Sequence, residues 1–134
     1  MKISFLKSSP FLLAAAFTAL SFAAPGDPWV VPEKNAKMPN PVKSSPESIA
    51  EGKSLWSKNC QSCHGKAGEG DGSKAAQLKT QPPSFASADF QKQTDGAIFY
   101  KTSEGRGDMP SFKKKLPDAE DIWNLVNYMR TFKK

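Results

Sequence analysis

The residues best suited to chemistry stand together near the middle of the chain, in the run Cys60-Gln61-Ser62-Cys63-His64. Cys60 and Cys63 are the only cysteines of the 134 residues, and His64 is the only histidine. This spacing is the attachment signal of c-type haem. Two thiols on one helical turn can form thioethers to the two vinyl groups of the ring, and the next residue then lies under the iron. The motif therefore predicts one haem c, bound through Cys60 and Cys63, with His64 as an axial iron ligand.

Other uses of a cysteine pair need a sequence context that is not visible here. A disulfide between Cys60 and Cys63 would close a very short loop, and the stabilisation from a cross-link grows with loop length. A thioredoxin-like redox pair follows a strand in a βαβ unit, and a zinc ribbon needs a second pair of cysteines or histidines. The haem interpretation is therefore favoured.

A methionine is the expected ligand on the other side of the iron, because the chain has no second histidine. The candidates downstream of the N-terminal segment are Met38, Met109 and Met129. Met38 lies in a proline-rich segment, and Met129 falls on the apolar stripe of a predicted helix. Met109 follows an irregular glycine-containing loop and precedes Pro110, in a rigid segment able to reach an iron. This placement favours Met109 without excluding the other two.

A helix is expected to position the cysteines. Ser45 is a good N-cap, Pro46 suits the first helical position, and the charge of Glu47 suits the helix dipole. We predict a helix from about 46 to 60. One of its faces continues into the motif in steps of three and four residues: Ile49, Gly52, Trp56, Cys60 and Cys63. Both cysteines should therefore face the core.

Two further helices are predicted, and no strand pattern is found. The stronger one starts near residue 117 or 118, with acidic residues in its first turn and basic residues near its close. Thr94 can cap a shorter helix that ends before Gly105, and 65–93 is predicted to be mostly loop. The fold class is therefore all-α. These few helices supply too few apolar side chains for a stable core, so we expect a large apolar cofactor to complete it.

The first 45 residues form two segments that precede the predicted domain 46–134. Residues 1–24 have basic residues before an apolar stretch that ends in small residues, the layout of a cleaved signal peptide. That stretch is shorter than a membrane span, so we expect a periplasmic protein with no span after cleavage. Residues 25–45 hold five prolines and are predicted to be an extended arm without a helix or central strand. Its apolar run Trp29-Val30-Val31 is expected to lie against the domain.

The charge distribution favours a protein partner. The formal net charge is +6, of which two units come from the predicted signal peptide, and this mild basic bias suits an acidic docking face. The lysines are scattered and no recognition helix or stacking motif is present, so nucleic acid is not an expected partner. Lys113, Lys114 and Lys115 follow Met109 closely and form a candidate docking rim.

Beyond the attachment motif, residues 46–132 resemble the class I monohaem cytochromes c of bacteria. Gly52 and Trp56 precede Cys60 by eight and four residues, where that family has a small residue and an aromatic one. Leu125 and Tyr128 stand where its C-terminal helix crosses the glycine. The resemblance implies a small all-α cytochrome c fold, in which the N- and C-terminal helices cross over one covalently bound haem.

The same resemblance implies roles for residues around the iron. In the family, a Met-Pro pair on a loop before the last helix supplies the distal ligand, which implies Met109. A proline carbonyl of the family accepts a hydrogen bond from Nδ1 of the proximal histidine, which fixes the ring and raises its donor strength. Pro82 and Pro83 are the candidates for this proline, and Pro83 is taken into the predicted site.

With His64 and Met109 at both axial positions, the iron has no open site for a substrate. The predicted function is single-electron transfer in an exported respiratory or other redox chain, not enzymatic catalysis. Donor and acceptor would be redox proteins, including membrane-bound ones, and the chain would be a monomer or a subunit of a larger redox complex. The alternatives are a small peroxidase or gas sensor with a labile Met109, and a fixed subunit that docks through 25–45.

Overall fold

The computed structural model describes residues 28–134, so the signal peptide predicted for 1–24 lies outside the described residues. Helices account for all the regular structure of this part of the chain, which contains no strand, and the predicted all-α class is confirmed. None of the described helices is long and apolar enough to cross a membrane. The helices are α1 Glu33–Ala36, α2 Pro46–Asn59, α3 Gln61–His64, α4 Ala88–Gln91, α5 Asp95–Glu104 and α6 Ala119–Arg130, with a 3₁₀ turn Ala75–Gln77 between α3 and α4.

Helix α2 begins where the sequence predicts. The Ser48 N–H donates a hydrogen bond to Ser45 Oγ at 3.2 Å, and Pro46 stands at the first helical position. The helix ends at Asn59, and Cys60 is both the C-cap of α2 and the N-cap of α3. The helix predicted for 46–60 is thus confirmed to within one residue.

The caps predicted for α5 and α6 are also present. The Ala97 N–H donates to Thr94 Oγ1 at 3.2 Å. Helix α5 ends at Glu104, and its C-cap is Gly105, whose φ is +68°. The Glu120 N–H donates to Asp118 Oδ1 at 3.0 Å at the start of α6. Both helices are therefore confirmed. The buried face of α6 is 4% exposed or less at each of Ile122, Trp123, Leu125, Val126 and Met129.

Helices α2 and α6 approach each other most closely at Gly52. A Cβ atom at this position would lie 2.7 Å from Tyr128 Cβ and 2.8 Å from the Asn124 carbonyl carbon, so only glycine allows the contact. Beside it, Ser48 Oγ donates to Asn124 Oδ1 at 2.6 Å, and Asn127 Nδ2 donates to Ser48 Oγ at 2.8 Å. These contacts join the two ends of the domain through the N-terminal half of α2.

Two segments expected to lack helix contain short helical pieces. The loop predicted for 65–93 includes the 3₁₀ turn and α4, where the Phe90 N–H donates to Ser87 Oγ at 3.2 Å. The arm predicted for 25–45 includes α1, so the prediction of an arm without helix is wrong. Pro32 stands at the N-cap of α1, where its missing N–H breaks no helical hydrogen bond. A single turn fits between prolines although a longer helix would not.

The described part of the arm is fastened to the domain. Thr94 Oγ1 donates to the Ala36 carbonyl at 2.6 Å, and Asn40 Nδ2 donates to Asn127 Oδ1 at 2.9 Å. Trp29 is half-buried, whereas Val30 is 77% exposed, so the expectation that the whole apolar run is covered is wrong for Val30. The arm therefore lies along α5 and α6 and brings Trp29 to the domain.

Candidate functional site

The cysteine-histidine motif lies where α2 passes into α3. The N–H groups of Cys63 and His64 both donate to the Cys60 carbonyl, at 3.1 and 2.9 Å, so the three residues lie on one helical turn. Cys60 is buried and Cys63 half-buried, and both are free thiols. Helix α3 ends at His64, and its C-cap Gly65 has a φ of +82° that turns the chain away directly after the histidine.

A cavity of about 330 Å³ opens beside the motif. Its walls are largely apolar, and many of the lining side chains come from the helices and the loops between them: Trp56, Phe85, Phe90, Ile98, Phe112 and Met129. The structure brings every residue of the predicted site to this one cavity, because Cys60, Cys63, His64, Met109 and Pro83 all line it.

The His64 imidazole is enclosed by aromatic rings. Its centroid lies 4.7 Å from that of the Phe85 ring and 5.8 Å from that of the Trp56 ring. This burial lowers the pKa of His64, because removal from water disfavours the charged imidazolium. Burial thus favours the neutral imidazole, which is the form that binds metal ions.

The Nδ1 atom of His64 is buried and has no hydrogen-bond partner within residues 28–134. A buried nitrogen without a hydrogen-bond partner is rare in proteins. Pro82 and Pro83 both line the cavity, but the Pro82 carbonyl lies against Gly70, where a Cβ would be 3.1 Å from the Pro82 carbonyl carbon. The hydrogen bond from His64 to Pro82 or Pro83 stays a prediction.

The Cys60 thiol is not poised for redox exchange or nucleophilic attack. Burial raises its pKa to about 12, while the charge of Lys115 lowers it and Cys63 raises it by smaller amounts. Reactive cysteines need a lowered pKa, because the thiolate is the nucleophile. A protonated thiol against an apolar cavity suits a covalent bond to an apolar group better than it suits a redox pair.

The three candidate methionines differ in their position relative to the cavity. Met38 packs against the core but is not among the lining residues. Met129 lines the cavity, yet it is 2% exposed inside α6 and belongs to the core cluster. Met109 lines the cavity from an irregular segment and is half-buried. Met109 is therefore the cavity methionine that core packing does not already employ.

The segment Arg106–Met109, called the Met109 turn below, is closed by two backbone hydrogen bonds. Arg106 N–H donates to the Met109 carbonyl at 2.9 Å, and Met109 N–H donates to the Arg106 carbonyl at 3.0 Å. Gly107 takes a φ of +58° within it. Asp108 Oδ2 accepts a hydrogen bond from the Lys79 N–H at 2.6 Å, which ties the turn to the loop between the 3₁₀ turn and α4.

This set of residues fits a covalently attached haem. Two free thiols match the two vinyl groups of the ring. An imidazole and a thioether are side chains that can ligate haem iron, and the cavity that they line is largely apolar. Sequence reasoning did not identify the stacked pair Phe85 and Phe90, whose centroids are 4.1 Å apart. Both lie in a loop-rich segment with no periodicity, so only their aromatic character could have marked them.

A family model described as cytochrome c oxidase, cbb3-type, subunit III matches residues 47–129. The matched segment contains the cysteine-histidine motif and the Met109 turn, and it starts after the proline-rich arm. No curated protein sequence matches the chain significantly.

Several solved structures are similar to the chain. A reducing HAO-like protein complex of Kuenenia stuttgartiensis aligns with 70% of this chain at 25% identity and a TM-score of 0.64, and the chain spans only 47% of that structure's length. The c-type cytochrome KustC0563 aligns over 62% of this chain and 98% of its own, at 34% identity and a TM-score of 0.54. Cytochrome CL of the marine methylotrophic bacterium Methylophaga aminisulfidivorans aligns over 66% of this chain and 55% of its own, at 23% identity and a TM-score of 0.52, a likeness of fold alone.

Proposed function

Because the chain belongs to the cytochrome c oxidase, cbb3-type, subunit III family of c-type cytochromes, we propose that it is a single-electron carrier with one haem attached through Cys60 and Cys63. The resemblance to class I monohaem cytochromes c is confirmed by the family match and the solved c-type cytochromes. One observation supports the proposal most strongly. The two thiols, the lone histidine and Met109 line the same apolar cavity.

Each residue of the site has a separate task in this proposal. Cys60 and Cys63 anchor the ring, and His64 and Met109 ligate the iron. The haem would supply an iron that changes its oxidation state by one electron. Phe85 and Trp56 hold the His64 ring in place, and the closed Met109 turn presents the thioether. His64 and Met109 together would leave no substrate site at the iron, so in this proposal the chain is a carrier and not an enzyme.

The surroundings favour the reduced state. A methionine thioether raises the reduction potential of haem iron, and burial in an apolar pocket acts in the same direction. The lining side chains near His64 are aromatic and aliphatic, so they offer little stabilisation to the additional charge of ferric iron. We therefore expect a positive potential, as suits an acceptor of electrons from other redox proteins.

The partners in this proposal are redox proteins outside the cytoplasm. The predicted signal peptide and the family, whose members are generally exported, support a periplasmic location. One solved neighbour belongs to a protein complex, which supports a fixed subunit as the second form of the same function. Lys114 and Lys115 are exposed and form no ion pair within residues 28–134, although Lys115 Nζ lies 5.8 Å from the Phe112 ring centroid. Lys113 pairs with Glu104 at 2.7 Å, so Lys114 and Lys115 are the lysines of the proposed docking rim without a carboxylate partner in the described part of the chain.

The purified protein tests the proposal directly. A covalent haem should stay with the chain in denaturant, add the mass of one haem, and give the alkaline pyridine spectrum of a ring with two saturated side chains. The ferric protein should show the weak near-infrared band of methionine bound to iron, and hydrogen peroxide should not be turned over. A haem extracted by acidic acetone would contradict attachment. A missing band together with peroxide turnover would favour the enzyme alternative.

A further inference from the structure

Trp29 lines the cavity, although it lies outside the segment that matches the family, which begins at residue 47. Its half-buried ring faces two cations. The guanidinium carbon of Arg106 lies 4.7 Å from the ring centroid, and Nζ of Lys101 lies 5.7 Å from it. Both distances fall within the roughly 6 Å over which an aromatic ring attracts a cation. The arm thus contributes an aromatic contact to the residue that starts the Met109 turn.

The two cations repel each other, and Trp29 offsets this repulsion. The pKa of Lys101 is lowered, first by burial and second by the positive charge of Arg106. Lys101 cannot move away freely, because its Nζ donates to Gln93 Oε1 at 2.6 Å. The repulsion acts on Arg106 as well as on Lys101. The negative face of the Trp29 ring attracts both charges and so favours the position that Arg106 occupies.

The position of Arg106 affects Met109 directly. The two residues exchange both backbone hydrogen bonds of the turn, so a shift of Arg106 moves the Met109 backbone with it. The arm that carries Trp29 is anchored to the domain, because its Ala36 carbonyl accepts a hydrogen bond from Thr94 Oγ1 at the start of α5. A continuous set of contacts thus runs from the anchored arm to the thioether.

We propose that Trp29 is a positioning residue for Met109, and that it keeps the thioether on the iron by holding Arg106. This inference rests on the proposed function, since it requires Met109 to be the distal ligand. It makes the arm part of the site: the family domain supplies the ligands, and the segment before it sets how often the Met109 bond opens.

Ligand exchange in the ferric holoprotein measures this opening. Imidazole is a neutral competitor for the iron, and its binding is followed by loss of the near-infrared methionine band. At saturating imidazole the rate equals the rate at which Met109 leaves. Trp29→Ala should raise this rate about fivefold, the factor that corresponds to about 1 kcal/mol, within the range for a ring-cation contact. Trp29→Phe should give an intermediate rate.

Two further variants separate positioning from general damage to the arm. Val30→Ala changes the exposed neighbour of Trp29 and should leave the exchange rate unchanged. Arg106→Gln removes the cation that Trp29 holds, so Trp29→Ala should accelerate exchange much less in the Arg106→Gln background than in the wild-type background. A residue with only a structural role would lower the denaturation midpoint and leave the exchange rate in buffer unchanged.

The possible results distinguish the inference from the proposed function. An unchanged rate in Trp29→Ala, with the band intact, overturns the inference and leaves His64 and Met109 as ligands. Equal acceleration by Val30→Ala also overturns it. A wild-type protein without the band overturns the ligand assignment and the inference together. If Trp29→Ala does not fold, the exchange rate of Trp29→Phe, measured with and without Arg106→Gln, decides in the same way.

Discussion

The two sides of the cavity are built differently. The motif Cys60–His64 lies on a helical turn whose backbone hydrogen bonds hold it, and the His64 ring is packed between buried aromatic rings. In the Met109 turn, by contrast, Arg106, Gly107 and Asp108 are exposed, and contacts from distant segments tie it down. The first side is determined locally by helix register and the second by long-range contacts. Changes on the motif side should therefore abolish the fold or the haem, whereas changes around the turn should adjust ligand exchange.

The largest effect is expected when the haem anchors are removed. The haem would fill an apolar cavity of about 330 Å³, and a domain of this size has little stability to spare. The variant Cys60→Ala, Cys63→Ala should therefore carry no haem and lose its cooperative thermal transition, measured by circular dichroism. Ser62→Ala, between the two cysteines, should keep both. A sharp melting transition in the haem-free double variant would show that the fold does not need the cofactor.

Gly52→Ala should have the next largest effect, because it adds a methyl group where α2 meets α6. That atom would overlap Tyr128 Cβ and the Asn124 backbone, and such overpacking typically costs about 1–3 kcal/mol. The guanidinium midpoint of the holoprotein should fall accordingly, with the haem spectrum preserved. Lys53→Ala, at the exposed neighbouring position, is the matched control and should not lower the midpoint. Equal midpoints for the two variants would contradict the close helix contact.

A smaller effect is expected at the Met109 turn, where Asp108→Asn weakens the hydrogen bond to the Lys79 N–H. Loss of the charge from such a bond costs on the order of 1 kcal/mol, so imidazole should displace Met109 a fewfold faster. The denaturation midpoint should change little. Glu104→Gln removes a carboxylate that pairs with Lys113 outside the turn and should leave the displacement rate unaltered. Displacement of Met109 at the wild-type rate in both variants would contradict a role of the Asp108 hydrogen bond in holding the turn.

The smallest effect is expected from Lys114→Glu together with Lys115→Glu, since exposed charges are screened by salt. If the two lysines lie beside the route of electron transfer, the double variant should be oxidised more slowly by anionic ferricyanide at low salt. It should be oxidised faster by the cation tris(phenanthroline)cobalt(III), and both differences should vanish at high salt. Lys43→Glu with Lys53→Glu provides a control at exposed positions that do not line the cavity. Identical responses of the two double variants would place the electron route away from Lys114 and Lys115.

The elements of the fold that depend on local chemistry were predictable from the sequence. Ser45, Thr94 and Asp118 cap the helices that were predicted to begin beside them. The contact of Gly52 with α6 was expected from the family resemblance, and the steric reason for it is the missing side chain. The cysteine-histidine spacing indicates the cofactor because the geometry of the two thioethers constrains that spacing.

Features that depend on distant partners were not predictable in this way. The turn α1 forms between prolines and lies against the domain, and no local pattern indicates it. Trp29 was expected to lie on the domain, but nothing in the sequence places it over Arg106. Phe85 and Phe90 stack in the cavity wall from a segment without periodicity. In each case a tertiary contact determines the position, and one-turn elements are too short to leave a repeating signal.

The ligand set is the centre of this account, and the near-infrared spectrum of the ferric protein tests it most directly. Met109→Ala should lose the methionine band, lower the reduction potential and allow the ferrous iron to bind carbon monoxide, while the haem stays attached to Cys60 and Cys63. Met38→Ala, which removes a methionine that does not line the cavity, should keep the band. A Met109→Ala protein that retains the band, with the band lost instead in Met38→Ala or Met129→Ala, would contradict the assignment.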